Sequence, residues 1–112
     1  MPEPGGYKME QYELIELRIE QHGKSEKLDF SSARLVVVTD MGSRLWYIDA
    51  NGITQQKLLS DFSRSDDIAV TLQGITVGGK AFSGEGFFHP NPQHQAAAIR
   101  GNGELAGLKP SS

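Results

Sequence analysis

The chain of 112 residues contains no cysteine. That absence excludes disulfides, thiolate zinc sites, iron–sulfur ligation and a cysteine nucleophile, and it fits a reducing, cytoplasmic place of synthesis. Basic clusters are missing as well: 11 Lys and Arg are scattered among 14 Asp and Glu, for a formal net charge of −3. Nucleic acid is therefore set aside as a partner, because neutralising phosphates takes a concentrated positive face. No apolar run approaches the roughly 20 residues that span a bilayer as a helix, so no membrane partner is expected. The N-terminal "MPEPGGYKMEQ" lacks the basic-then-apolar order of a signal peptide.

Glycine is what the chain has in abundance, 13 residues together with 5 prolines. Such turn-rich composition favours β structure over a helical bundle. The length fits one domain able to bury a core of its own. Residues 1–10, with Pro2, Pro4, Gly5 and Gly6, read as a flexible N-terminal arm; 11–107 read as a single β-rich domain and 108–112 as a C-terminal tail.

Within the domain, Ile15, Leu17 and Ile19 alternate with Glu16, Arg18 and Glu20, the period of a half-buried strand. "HGKSEK" reads as a polar turn. Leu35–Val38 is a continuous apolar, mainly β-branched run, which suggests a strand buried on both faces, or a central strand. "DMGS" (40–43) reads as a turn leading to "RLWYIDA" as the second arm of a hairpin. In "ITQQKLLSDF" the period changes: Leu58, Leu59 and Phe62 fall on one helical face, with Thr54 placed to cap. Gly78-Gly79 lies between "ITV" and "KAF", the pattern of a two-residue hairpin turn. Strands, one helix, then strands, without βαβ alternation, point to an all-β or β-rich α+β domain: an antiparallel sandwich or partly closed barrel with one short flanking helix.

Two stretches stand out, "FSGEGFF" (82–88) and "IRGNGEL" (99–105), separated by a segment with His89 and His94. A phosphate cradle needs glycines that lead into a helix N-terminus, and neither stretch does. Zinc or nickel on His89 and His94 would need a third ligand such as Glu85 or Glu104, and Pro90 and Pro92 make the intervening segment a loop. His22 is distant in sequence. "DANG" lacks the third oxygen residue and terminal Glu of a calcium loop. Ser83 is not set in a G-x-S-x-G elbow, and Asp61, Asp66 and Asp67 fall in a polar segment where acidic residues face water. No catalytic, cofactor-binding or metal-binding residue is assigned, and no enzyme activity. The steric reading is preferred. Paired glycines on one strand face flatten it, so that a backbone, an aromatic ring or a helix can approach, and Phe82, Phe87 and Phe88 flank the first pair.

The closing stretch, with Ile99, Gly101, Gly103 and Leu105, resembles the "x-x-I-x-G-x-G-x-L" strand of major tail proteins of long-tailed bacteriophages. "KAFSGEGFF" is similar to a hairpin strand of tail and baseplate proteins. The resemblance implies a β-sandwich with one flanking helix, subunits that stack as rings, and loops or arms that reach between them. The chain is short for a tube protein and suits a baseplate, minor tail or accessory role. The expectation is a non-enzymatic structural protein, a homo-oligomer or a partner of other structural proteins, made in the cytoplasm and resident in a virion or phage-like particle. The competing reading is a monomeric ligand-binding barrel or sandwich whose pocket is lined by Phe82, Phe87, Phe88, Trp46 and Tyr47.

Overall fold

The computed structural model describes residues 8–108. β1 (Lys8–Gln21) turns at His22–Gly23 into the short β2 (Lys24–Lys27), and β3 (Ser32–Asp40) turns at Met41–Gly42 into β4 (Ser43–Asn51). In each turn both central residues have positive φ, 54° and 80° in the first and 52° and 87° in the second. These are two-residue turns of the type whose twist matches a hairpin. The helix α1 (Gln56–Ser63) precedes β5 (Ala69–Thr76), β6 (Ala81–Asn91), a 3-10 turn at Pro92–His94, and β7 (Ala96–Gly101).

The strands are joined in the order β1-β3-β4-β7-β6-β5, and β5 pairs back onto β1. Every pairing is antiparallel. The fold is therefore all-β with one short flanking helix, as expected, and of the sandwich and the barrel it is the barrel, closed by the β5–β1 pairing.

Closure depends on a bulge in β1. Leu14 faces Thr76 and Glu16 faces Ile75, so Ile15 is an extra residue in the ladder. An inserted residue reverses the inward parity of everything after it. Leu14 is inward before the bulge, Leu17 and Ile19 are inward after it, and Ile15 is left 59% exposed. The alternation predicted Ile15, Leu17 and Ile19 on one face; only the last two share it.

Other boundaries also move. β1 starts at Lys8, inside the stretch 1–10 assigned to an arm, while residues 1–7 and 109–112 lie outside the described residues. Leu108 is buried and belongs to the core, not to a tail. The hairpin after β5 turns over three residues, Val77–Gly79: the Thr76 N–H donates to the Lys80 carbonyl at 2.9 Å and the Gly79 N–H to the Thr76 carbonyl at 2.8 Å. Gly79 has φ 91°, the conformation a glycine supplies in such a turn. Thr54 does not cap α1; its hydroxyl donates to Asp29 at 2.9 Å, and the N-cap is Gln55. The Gln55 side chain instead accepts from the Asp29 N–H and donates to the Lys27 carbonyl, tying the helix entry to the segment after β2.

One continuous core fills the barrel, with Leu17, Leu35, Ile48, Leu72, Phe88 and Ile99 among its most buried members. Leu59 and Phe62 of α1 join it, and the Phe62 and Phe88 rings stack tilted at 4.6 Å. Leu35, Val36 and Val37 are all buried, as a continuous apolar strand should be, although Val36 lies on the side away from the core cluster.

The barrel has a projection. β1 does not meet β5 until Leu14, and β4 does not meet β7 until Tyr47. Lys8–Glu10, Val37–Asp40 and Ser43–Trp46 therefore pair only with one another, as a three-stranded tongue, with Gln11–Glu13 leading from it into the barrel. The molecule measures 48 × 28 × 27 Å with a radius of gyration of 14.5 Å, against about 13 Å for a compact chain of 100 residues.

Candidate functional site

The two glycine stretches are neighbours. β6 and β7 run antiparallel with Gly86 opposite Gly101, and Phe88 opposite Ile99. Inward residues of β6 are Phe82, Gly84, Gly86 and Phe88; Ala97, Ile99 and Gly101 are those of β7. Strand period two thus puts Gly84, Gly86 and Gly101 on the inner wall.

What fills the notch is Trp46, which is 4% exposed. A Cβ on Gly101 would lie 2.3 Å from Trp46 Cε2, and one on Gly84 would lie 3.2 Å from Cζ2. The indole Nε1–H donates to the Gly103 carbonyl at 2.9 Å. Gly103 plays a different part: it lies past the end of β7 with φ 93° and open space around it, so it serves the turn. Gly86 admits the Arg100 carbonyl, 2.6 Å from where a Cβ would sit. The flattened face is real, and it receives an aromatic ring and a backbone from the same chain. The ring is that of Trp46, not of the flanking phenylalanines.

The segment between the stretches is shorter than its prolines suggest. His89, Pro90 and Asn91 continue β6, and only Pro92–Gln95 makes the connection. His89 faces outward on the strand, and His94 is exposed in the 3-10 turn. Among the described residues no group of three or more His, Asp or Glu could hold a metal ion. His22 pairs with Asp67 at 2.9 Å, and Asp61 pairs with Lys57 and Arg64 at 3.0 and 3.1 Å, all at the exposed surface. Asp61 and Asp67 are thereby engaged in separate surface pairs, and Asp66 is exposed.

The five aromatics proposed to line one pocket divide between two sides of the wall. Phe82, Phe88 and Trp46 are core, whereas Tyr47 and Phe87 are outward and 39% and 37% exposed. Several open grooves lie on the surface, one of about 510 Å3 beside His89 and Ala98. A second of about 380 Å3 lies between Arg18, Gly74, Ser83 and Gly107. Another of about 410 Å3 lies at the base of the tongue between Arg44, Trp46 and Glu104.

The most distinctive surface is the outer face of the tongue, which was not singled out in the sequence. Register places Met9 beside Val38 and Val38 beside Leu45. Met9 is 47% exposed, Leu45 70%, and Met41 at the hairpin tip 78%. The signal was present in the Leu35–Val38 run: an apolar strand with both faces covered needs something on each side. On the opposite face, burial raises the Tyr12 phenol above its ordinary pKa of 10.0; Glu10 adds to this and Arg44 opposes it.

Comparisons with protein-family models, with curated proteins and with solved structures found no match.

Proposed function

We propose that this chain is a non-enzymatic structural subunit that assembles with copies of itself, in the manner of a tail or baseplate subunit of a phage-like element. The tongue carries the reading. A row of large apolar side chains, left on the outside of a projection rather than folded into the core, is the kind of surface that marks a protein interaction site. The acidic balance of the chain limits promiscuous association of such a surface. The two glycine-bearing strands on which the tail-protein resemblance rests lie side by side as the last hairpin.

Sedimentation velocity over a wide concentration range, with electron microscopy of the concentrated sample, tests it. Discrete oligomers, rings or tubes are the expected result. A monomer persisting at hundreds of micromolar sinks the self-assembly reading.

A further inference from the structure

The six barrel strands have a neighbour on both sides where the barrel is closed, so among the described residues open sheet edge is left on the short β2 and on the two sides of the tongue, β1 and β4. The phase of the ladder says which groups those are. The Met41–Gly42 turn makes Asp40 and Ser43 the first hydrogen-bonded pair of the hairpin, and Val38 and Leu45 the next. Val37 and Thr39 therefore direct their N–H and C=O toward β1, where their register partners are Glu10 and Lys8. It follows that Met9, Gln11 and Glu13 direct theirs to the other edge. The Val77 N–H donating to the Glu13 carbonyl at 2.8 Å fits this phase. Beyond Glu13, no strand among the described residues lies against Met9 and Gln11 on that edge.

We infer that this edge pairs with the same edge of a second copy, antiparallel, with Met9 opposite Met9 across a two-fold axis. The inference rests on the self-assembly reading and gives it an interface. Antiparallel pairing must join residues whose backbone groups are free, which leaves few registers. Setting Met9 against Gln11 puts Glu10 opposite Glu10, a like-charge pair that destabilises. Setting Gln11 against Gln11 brings Met9 onto Glu13, whose carbonyl Val77 already occupies. Met9 against Met9 places Lys8 opposite Glu10 twice, once on each side of the axis, as opposite charges across the ladder. It also joins two outer rows into one, Leu45, Val38 and Met9 of one copy followed by Met9, Val38 and Leu45 of the other.

Steric room favours the antiparallel sense. The body of the molecule is 28 × 27 Å across, whereas three strands at about 4.8 Å spacing are roughly half as wide. Parallel tongues would set two bodies side by side where they collide. Antiparallel tongues put the bodies at opposite ends of a six-stranded sheet. The pairing is isologous, so the contact closes on itself.

A charge swap tests the register. Lys8 and Glu10 side chains are 51% and 20% exposed, on the projection rather than in the core. Lys8→Glu alone faces acid with acid, and Glu10→Lys alone faces base with base. Each variant is expected to self-associate roughly tenfold or more weakly than wild type by sedimentation velocity. An equal mixture of the two sets opposite charges at both contacts and should recover the wild-type assembly. Loss of folding cannot imitate that recovery, and far-UV circular dichroism of each variant should match wild type. If wild type assembles but the single variants assemble equally well, or the mixture stays as weak as either alone, this interface is wrong while self-assembly stands. If wild type is monomeric throughout, the self-assembly reading falls and takes the interface with it.

Discussion

Replacing Gly101 with alanine tests the contact between the glycine notch and the Trp46 ring. The new Cβ would sit 2.3 Å from Trp46 Cε2 and 2.5 Å from both Cδ2 and Nε1. These atoms are the rigid centre of an indole, not the end of a flexible chain, so the ring must move as a body. Moving it strains the Nε1–H bond to the Gly103 carbonyl, and a buried donor left unpaired costs about 1–3 kcal/mol. Forcing a methyl group into a filled core costs about 1–3 kcal/mol more. The sum is a loss of about 2–6 kcal/mol. For a domain of this size each kcal/mol lowers Tm by about 4–8 °C. Trp46 is the only tryptophan, so its fluorescence during urea unfolding reports on the altered site itself. Two comparisons separate crowding from conformation. Gly103→Ala meets open space at φ 93°, so it should cost only the left-handed strain of about 1–2 kcal/mol. In a Trp46→Leu background, followed by circular dichroism, the cost of Gly101→Ala should fall by more than about 1 kcal/mol, because the two sites share one space. A Gly101→Ala protein within experimental error of wild type, or strict additivity with Trp46→Leu, refutes the notch.

Three further outcomes follow from the geometry. Ile15→Ser should change stability by less than about 0.5 kcal/mol, since the bulge has turned that side chain outward; Leu17→Ala, two residues on, should cost about 2–5 kcal/mol in the same urea titration. The folded-state pKa of Tyr12 is raised, so the native state holds its proton more tightly than the unfolded chain. Its contribution is intact below the ordinary value of 10.0 and is lost as pH rises through the higher folded value. The urea midpoint should fall in that alkaline range and fall less in Tyr12→Phe. Leu45→Ser should leave Tm near wild type, because the side chain is already 70% exposed, yet weaken self-association in sedimentation.

Much of the fold is legible where one physical signal acts alone. The Leu35–Val38 run reads as a strand covered on both faces, and Leu35, Val36 and Val37 are buried, while Val38 is half-buried in the outer row of the tongue. Leu58, Leu59 and Phe62 read as the apolar face of a short helix; Leu59 and Phe62 are buried, and Leu58 packs half-buried against the core. "DMGS" reads as a turn, and Met41–Gly42 makes it. The errors arise where local pattern and long-range pairing compete. Ile15 alternates perfectly with its neighbours, but where β1 leaves β3 and joins β5 is decided by strands distant in sequence, and the bulge appears at that exchange. Thr54 stands where a cap would stand, yet Asp29 takes its hydroxyl. Pro90 is admitted to β6 opposite Ala97, although proline argues locally for a loop.

The glycine stretches show the same division more sharply. Their spacing announces a flattened face, and composition cannot say what lies on it. The occupant, Trp46, comes from β4, which meets β7 only from Tyr47 onward. Trp46 is thus the last residue of the tongue before the barrel closes. Its outward neighbours, Leu45 and Tyr47, begin the exposed apolar face, while its own ring is clamped over Gly101 and held by Gly103. The notch therefore fixes where the free tongue begins. Loosening it should disturb the tongue's attitude to the barrel as well as the core. Gly101→Ala should for that reason weaken self-association more than Leu17→Ala does when the two are compared at equal fractions folded; equal association would show that the notch serves the core alone.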